Sequence, residues 1–399
     1  MRSGRYVRQL KGYSAFIPEP LPPDPPIEMD DGMRRLLSRA DRALGRLDGV
    51  ASVLPNPDLF VAMYVRHEAV LSSQIEGTQS TLGDVLEFEA AGRRDSRPKD
   101  VEEVVNYVGA LNYGLERLNG FPLCLRLLRE IHERLLEGVR GQHRTPGEFR
   151  TSQNWLGPEG CLLSEADYVP PPPHEMKDSL GNLEEFLHDE ESFPVLIHCA
   201  MAHAQFETIH PFLDGNGRVG RLLITLLLCQ RGVLGRPLLY LSYYLRAHRA
   251  MYYDRLTAVR NDGDWEAWIK FFLRGVYETS ESATATARDI LALREAHRER
   301  IGREYTGSAY GLRLLDYLYE RPLLTIGMAR KELGCAYTTA SKLIERFAGL
   351  GILEETTGRQ RNRRYSYRPY LDIFERQVIP GPAASSGGNV PTTESAETP

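Results

Sequence analysis

The sequence predicts a mostly α-helical protein with a small β-hairpin flap and a C-terminal winged helix-turn-helix. Three observations carry this expectation. Apolar residues recur at helical spacing over most of the 399 residues. One segment, 152–173, interrupts that spacing with turn and proline signals. After Pro322 the order reads short helix, turn, helix and two strand-like pieces.

Residues 1–100 read as an arm followed by a helical region. The proline cluster IPEPLPPDPP, Ile17 to Pro26, excludes helix and central strand, because proline lacks the N–H donor and fixes its own φ. It is expected to be an extended arm. Helical spacing begins at Asp31 and runs to Leu47; a second helix, about 58–77, follows PNPD, with Asp58 as its N-cap and Gly77 as its C-cap. GRRDSRPKD, 92–100, is a polar break. Residues 101–292 form the helical core, including LCLRLLREIHERLLEGV and PVLIHCAMAHAQFETI. Within it, SQNWLGPEGCLLSEADYVPPPP places a Gly-Pro-Glu-Gly turn between short apolar runs, the pattern of a hairpin whose edge can pair with another chain's backbone.

A polar helical stretch reaches Arg303, and residues 305–375 make the winged unit. Its helices meet at a turn on Gly334, the second running from about Tyr337 to Leu350, and its strands flank the basic turn GRQRNRRYSYR. The Gly, Pro, Ser and Thr rich tail, 380–399, is expected to be disordered.

Composition narrows the function classes. A 42% hydrophobic chain of this length buries more than one core, and a net charge of -5 argues against coating nucleic acid or anionic membrane along its length. The cysteine total of 5, with no CxxC pair, suggests neither a disulfide framework nor a zinc site. The longest apolar run, Leu222 to Cys229, is far shorter than the roughly 20 residues of a spanning helix, and the N-terminus lacks a signal-peptide core. A cytoplasmic protein with no membrane contact is the expectation.

The chemistry concentrates in HPFLDGNGRVGR, His210 to Arg221. Glycines around Asn216 tolerate the φ angles of a nest whose N–H groups, Gly215 to Gly217, converge on an anion. An apolar helix follows directly, so the loop also lies at a helix N-terminus, where orphan N–H groups favour phosphate. Arg218 and Arg221 share a face of that helix and suit phosphate oxygens. Asp214 would repel bound phosphate unless a divalent cation bridged them, and magnesium is the oxygen-liking choice. His210 is suited to take a proton from an attacking hydroxyl. Singly, these residues read as a turn, a cap and a solvated face; together at this spacing they point to phosphoryl or nucleotidyl transfer. Phe212 reads as a packing anchor, and His198 and His203, five apart, as structural rather than metal-binding.

The dodecamer resembles the signature of Fic-domain (Fido) proteins, His-x-Phe-x-(Asp/Glu)-Gly-Asn-Gly-Arg-x-x-Arg, and matches it at every defined position. The likeness extends from the arm and the helices before Gly77, through YVPPPP, to HRAMYYDRL and GDWEAWIKFFL. It implies a helical Fic core that transfers AMP from ATP to a hydroxyl side chain of a target protein or of itself. It implies His210 as base, Asp214 as ligand for Mg2+, Gly215, Asn216 and Gly217 as anion hole, and Arg218 and Arg221 as phosphate clamps. Tyr252 and Tyr253 would lie near the adenine, although paired aromatics on a helix face also serve as core.

SSQIEG, Ser72 to Gly77, sets a glutamate at the negative end of a helix dipole, unfavourable by a few tenths of a kcal/mol unless a cation faces it. The stretch resembles the family's inhibitory motif, (Ser/Thr)-x-x-x-Glu-(Gly/Asn), with Ser72, Glu76 and Gly77 at the defined places. The resemblance implies that Glu76 pairs with Arg221 and keeps ATP from its productive pose; in some relatives the same glutamate also serves AMP removal.

The basic turn carries Arg359, Arg361, Arg363, Arg364 and Arg368 with two tyrosines and no acidic residue, a composition suited to phosphate backbone. The second helix opens with Thr338, Thr339, Ser341 and Lys342, which permit base contact without demanding it. Winged helices also dock proteins, so DNA and protein stay open as partners, as does a homodimer. Two functions follow: an autoinhibited protein adenylyltransferase, or a DNA-binding regulator whose core senses nucleotide without turnover.

Overall fold

Helical spacing becomes helix nearly throughout. The computed structural model describes residues 2–10, 12–52, 57–91, 100–158, 160–304, 309–359 and 363–376. The polar break at 92–99, Arg361 and the tail from 380 onward lie outside the described residues.

A short antiparallel pair opens the chain, β1 (Gly4–Arg8) with β2 (Ser14–Pro18). Helices α1 (Asp31–Ser52), α2 (Pro57–Ile75) and α3 (Leu82–Ala91) follow the arm. Next come α4 (Asp100–Leu118), α5 (Leu125–Leu135), α6 (Pro173–His188), α7 (Val195–Ile209), α8 (Asn216–Gln230), α9 (Ser242–Ala247) and α10 (Arg249–Asp262). The longest, α11 (Trp265–Glu304), spans 40 residues. The chain ends in α12 (Ala309–Glu320), β3 (Leu323–Thr325), α13 (Ile326–Leu333), α14 (Tyr337–Gly349), β4 (Glu354–Glu355), β5 (Arg364–Ser366) and α15 (Arg368–Glu375), with β5 between β3 and β4 in an antiparallel sheet. Thr325 caps α13 by accepting from the Met328 N–H, and Gly334 ends it in the left-handed region.

Several particulars differ from expectation. The arm is preceded by the β1–β2 pair, which adds to the rest of the fold through a Phe16 N–H bond to Val169 O. Helix α2 begins at Pro57, so Asp58 lies inside it rather than capping it. The flap is closed by one bridge, Leu156 to Tyr168, with a 3-10 turn at Leu163–Glu165 in place of a ladder. Pro170 to Pro173 have no N–H to extend that ladder. Helix α11 runs unbroken through 292, the expected end of the core.

Helices α7 and α8 pack antiparallel at the centre and are buried nearly all round: every residue from Leu196 to Ile209, and from Arg218 to Leu228, is inaccessible. That is what helices without a polar face must do. The shell is made by α4, α5, α6, α10 and α11, while α1 lies along α11. Polar groups on α7 are satisfied internally. His198 Nε2 bonds Phe186 O at 2.7 Å; His203 Nδ1 bonds Gly220 O and its Nε2 the Tyr252 hydroxyl, each at 2.9 Å. Since a carbonyl only accepts, His203 carries its proton on Nδ1. The five cysteines are free thiols, and among the described residues no helix is long and apolar enough to cross a membrane.

Burial holds His132 and His203 neutral, pushed down to about 4 and about 3. Both are wholly inaccessible. A histidine whose folded value lies below its unfolded one leaves stability intact above about pH 6.5 and erodes it as pH falls toward the folded value. Each imidazole should therefore cost about 2 kcal/mol of stability at pH 5 relative to pH 7. The urea midpoint should fall measurably between these pH values; an unchanged midpoint would contradict the burial assigned to these rings.

Candidate active site

Six residues, His210 to Gly215, join α7 to α8, and two of them adopt left-handed backbone. Gly215 (φ 78, ψ 4) is the N-cap of α8, a conformation open to glycine without penalty. His210 (φ 50, ψ 60) caps α7 in the same region, uncommon for a residue with a Cβ. Its surroundings hold it there. The His210 N–H donates to Phe206 O at 3.0 Å, and its carbonyl accepts from Arg150 Nε at 3.0 Å and Asn154 Nδ2 at 3.4 Å. Arg150, buried at the base of the flap, also donates to Ser152 O, Pro171 O and Ile209 O.

The loop is pinned from two further sides. Asn216 folds back so that its amide accepts from Phe212 N–H and donates to Phe212 O, both at 2.8 Å. His132 of α5 stacks flat on Phe212, centroids 3.7 Å apart, accepts from Gly147 N–H at Nδ1 and bonds Asp214 O through Nε2 at 3.0 Å. Phe212 is thus the anchor its sequence position suggested.

These constraints present an imidazole, a carboxylate and a helix N-terminus on one side of the loop. Buried His210 Nδ1 has no hydrogen-bond partner. Burial, reinforced by Arg150 and opposed by Glu76, pushes the ring down to about 4, so it is a neutral base near pH 7. Asp214 is partly exposed; its Oδ1 accepts the Gly215 N–H at 2.6 Å and lies 3.7 Å from Arg218. Among the described residues no cluster of three metal-ligating side chains occurs, and Asp214 is a lone carboxylate. That fits a Mg2+ ion held mainly by phosphate oxygens and water.

The two arginines are engaged differently. Arg218 is buried with Glu103 of α4 at 3.0 Å, a pair in which both side chains are 2% exposed. Arg221 donates through Nε to Ser72 Oγ at 2.7 Å, and through Nη2 to Ser72 O at 3.0 Å and Glu76 Oε1 at 2.7 Å. Glu76 sits just beyond the end of α2, before Gly77 at φ 97. Its carboxylate lies so close over Gly217 that a Cβ there would collide with it. Burial alone would raise the Glu76 carboxyl; the charge and hydrogen bond of Arg221, with Arg218 and His210, outweigh it and hold the group below its usual value.

Sequence reading located Ser72, Glu76, Gly77, His210, Asp214, Gly215, Asn216, Gly217, Arg218 and Arg221, and the fold brings them together. Tyr252 is buried with its hydroxyl on His203, whereas Tyr253 of the same helix is 39% exposed. Missed were His132, Arg150, Asn154, Glu103 and Glu68. Glu68, one helical turn before Ser72, is buried and accepts from Ser242 N–H at 3.0 Å, from the Ser242 hydroxyl, and from Tyr107 OH at 3.3 Å. Burial pushes it up to about 7, against those bonds. Its only sequence signal was the four-residue spacing 68, 72, 76 along one helix face.

Two outcomes follow from this geometry. Glu103→Ala should lower stability by about 3 kcal/mol, because it strands the buried Arg218 charge; a loss under 1 kcal/mol by urea unfolding would show the pair to be dispensable. By NMR titration, His210 should protonate near pH 4, and lower still in Glu76→Gln, since Glu76 is what raises it. Titration near 6.5 in either protein would mean the ring is solvated.

Known proteins share this arrangement. Residues 34–116 match the Fic/DOC family N-terminal region, and residues 122–228 match the Fic/DOC family domain. Over 168 residues the chain is 36% identical to a protein adenylyltransferase Fic of Culex quinquefasciatus, covering 40% of this chain and 29% of the relative. Over 123 residues it is 36% identical to a probable protein adenylyltransferase of Aquifex aeolicus, covering 31% of this chain and 35% of that one. The chain thus spans only about a third of the length of these curated relatives. The crystal structure of a Fic family protein from Desulfovibrio desulfuricans G20 shares the fold, with a TM-score of 0.55 at 21% identity over 86% of this chain and 97% of the other. The signature loop, the two matched regions and the shared helical architecture place this chain in the Fic/DOC family.

Proposed function

We propose that the chain is a protein adenylyltransferase held inactive by its own Glu76. The observation that carries this reading is the Glu76 carboxylate resting over Gly217 at the N-terminus of α8, paired with Arg221 at 2.7 Å beside His210. A negative group occupying an anion site next to a neutral base is what an intramolecular stand-in for substrate phosphate would look like.

In the reaction, a target hydroxyl oxygen attacks the α-phosphorus of ATP. His210 takes the hydroxyl proton, the bond from the α-phosphorus to the bridging oxygen breaks, and diphosphate leaves. The N–H groups opening α8, with Arg218 and Arg221, bind the triphosphate, and positioning with charge neutralisation supplies most of the acceleration. Asp214 would hold Mg2+, which lowers the charge of the triphosphate. Tyr253, exposed on α10, is the better placed of the tyrosine pair to meet the base. A target segment would pair with the flap edge around Leu156.

The last seven elements follow the order of a winged helix, and we assign the unit to that class. A DNA-binding role draws no support from its basic turn. Arg363 faces Glu345 at 3.9 Å, Arg364 faces Glu87 at 3.8 Å, and Arg368 pairs with Asp372 and Glu375. Carboxylates already sit where phosphates would have to.

Label transfer to protein from ATP carrying isotope on the α-phosphate should rise in Glu76→Gly over wild type. It should fall about 100-fold or more when His210→Ala is added. Isotope on the γ-phosphate should not transfer. An unchanged rate in Glu76→Gly counts against the brake, and γ-label transfer against nucleotidyl chemistry.

A further inference from the structure

Helix α2 touches more than the active site. One stripe, Glu68 and Ser72, faces the core and leads to Glu76. A neighbouring stripe, Tyr64 and His67, faces the C-terminal unit: Phe374 of α15 meets both rings edge-on, with centroids 5.6 and 5.8 Å away and planes at 80°. Tyr64 and Phe374 are fully buried, and Tyr370 of α15 extends the cluster behind Phe374 at 5.5 Å. Helix α12 packs against α2 as well. The same unit also grips α3, where β3 packs and Arg364 faces Glu87, while Arg66 of α2 is paired with Glu89 of α3 at 3.0 Å.

We propose that the C-terminal unit is part of the brake: by packing Phe374 on Tyr64 and His67 it holds α2 in the register that puts Glu76 on Arg221. The inference rests on the reading of Glu76 as inhibitory. Twelve residues separate Tyr64 from Glu76, and a helix carries a displacement over such a span of about 18 Å nearly undiminished. The hydrogen bonds of Arg221 to Ser72 and Glu76 tolerate only a few tenths of an ångström before they weaken. A shift of α15 by a fraction of a helical turn is therefore felt at Arg221. Packed aromatic clusters change between discrete arrangements rather than stretching, so the contact behaves as a latch. Whatever binds and displaces the C-terminal unit would thereby act on the nucleotide site without approaching it.

The test uses the full chain as wild type, Phe374→Ala and Phe374→Leu, each with Glu76 present and with Glu76→Gly. Two quantities are read: label transfer from ATP with isotope on the α-phosphate, and amide hydrogen exchange across residues 70–78. Phe374→Ala should raise transfer about fivefold or more where Glu76 is present, leave the Glu76→Gly rate unchanged, and speed exchange at 70–78; Phe374→Leu should fall between. An equal change in both backgrounds, or exchange at 70–78 unaltered in folded Phe374→Ala, overturns the proposal. Should Phe374→Ala fail to fold, Phe374→Leu decides by the same two readouts. A Glu76→Gly protein that transfers no label instead defeats the transferase reading, and the exchange measurement alone then decides whether α15 holds the end of α2.

Discussion

The structure turns on a chain reversal between two buried helices. Because α7 and α8 offer no polar face, every group able to do chemistry is confined to the six residues between them and to the first turn of α8. That reversal needs two left-handed residues, and only one of them is glycine. The other, His210, is over-determined: its own N–H, its carbonyl, the stacked Phe212 and the folded-back Asn216 each fix part of the turn. Reactive geometry here is a by-product of closing a tight connection inside a dry core. The supporting residues come from α5, the base of the flap and α8 itself, so the loop has little freedom to relax if any one of them is altered.

How much of this was legible in the sequence depended on spacing along the chain. The signature loop is contiguous, and its glycines, carboxylate and arginines could be assigned from local backbone requirements alone. The Ser72, Glu76, Gly77 stretch was legible for the same reason: a helix end and a cap are local events. His132, Arg150 and Glu103 were not, because each acts on the loop from 60 to 115 residues away and looks unremarkable in its own neighbourhood. His132 in particular sits on the apolar face of an amphipathic helix, where a core histidine and a loop-supporting one read alike. The short β1–β2 pair was missed because five-residue strands beside a proline-rich arm give little periodicity.

The C-terminal unit illustrates the same boundary. Its elements follow from the residues, since Gly334 and the apolar spacing of α14 mark their own places. Its docking does not, because the aromatic residues of α15 meet partners on α2, some three hundred positions earlier. The arginines around the basic turn are a related lesson: read alone they suggested nucleic acid, and read in place three of them answer carboxylates of this chain. Charge composition reports what a surface can attract, not what it has already found.

One feature bears on how such a site would respond to concentration. The anion-binding end of α8 is filled by a tethered carboxylate rather than by solvent. A free anion must compete with a ligand that cannot diffuse away, so its apparent affinity is the intrinsic one multiplied by the fraction of time that the tether is off. Covalent attachment thereby converts a binding site into a threshold, whose height is written in the stiffness of the segment bearing the carboxylate and not in the contacts made with the arriving molecule.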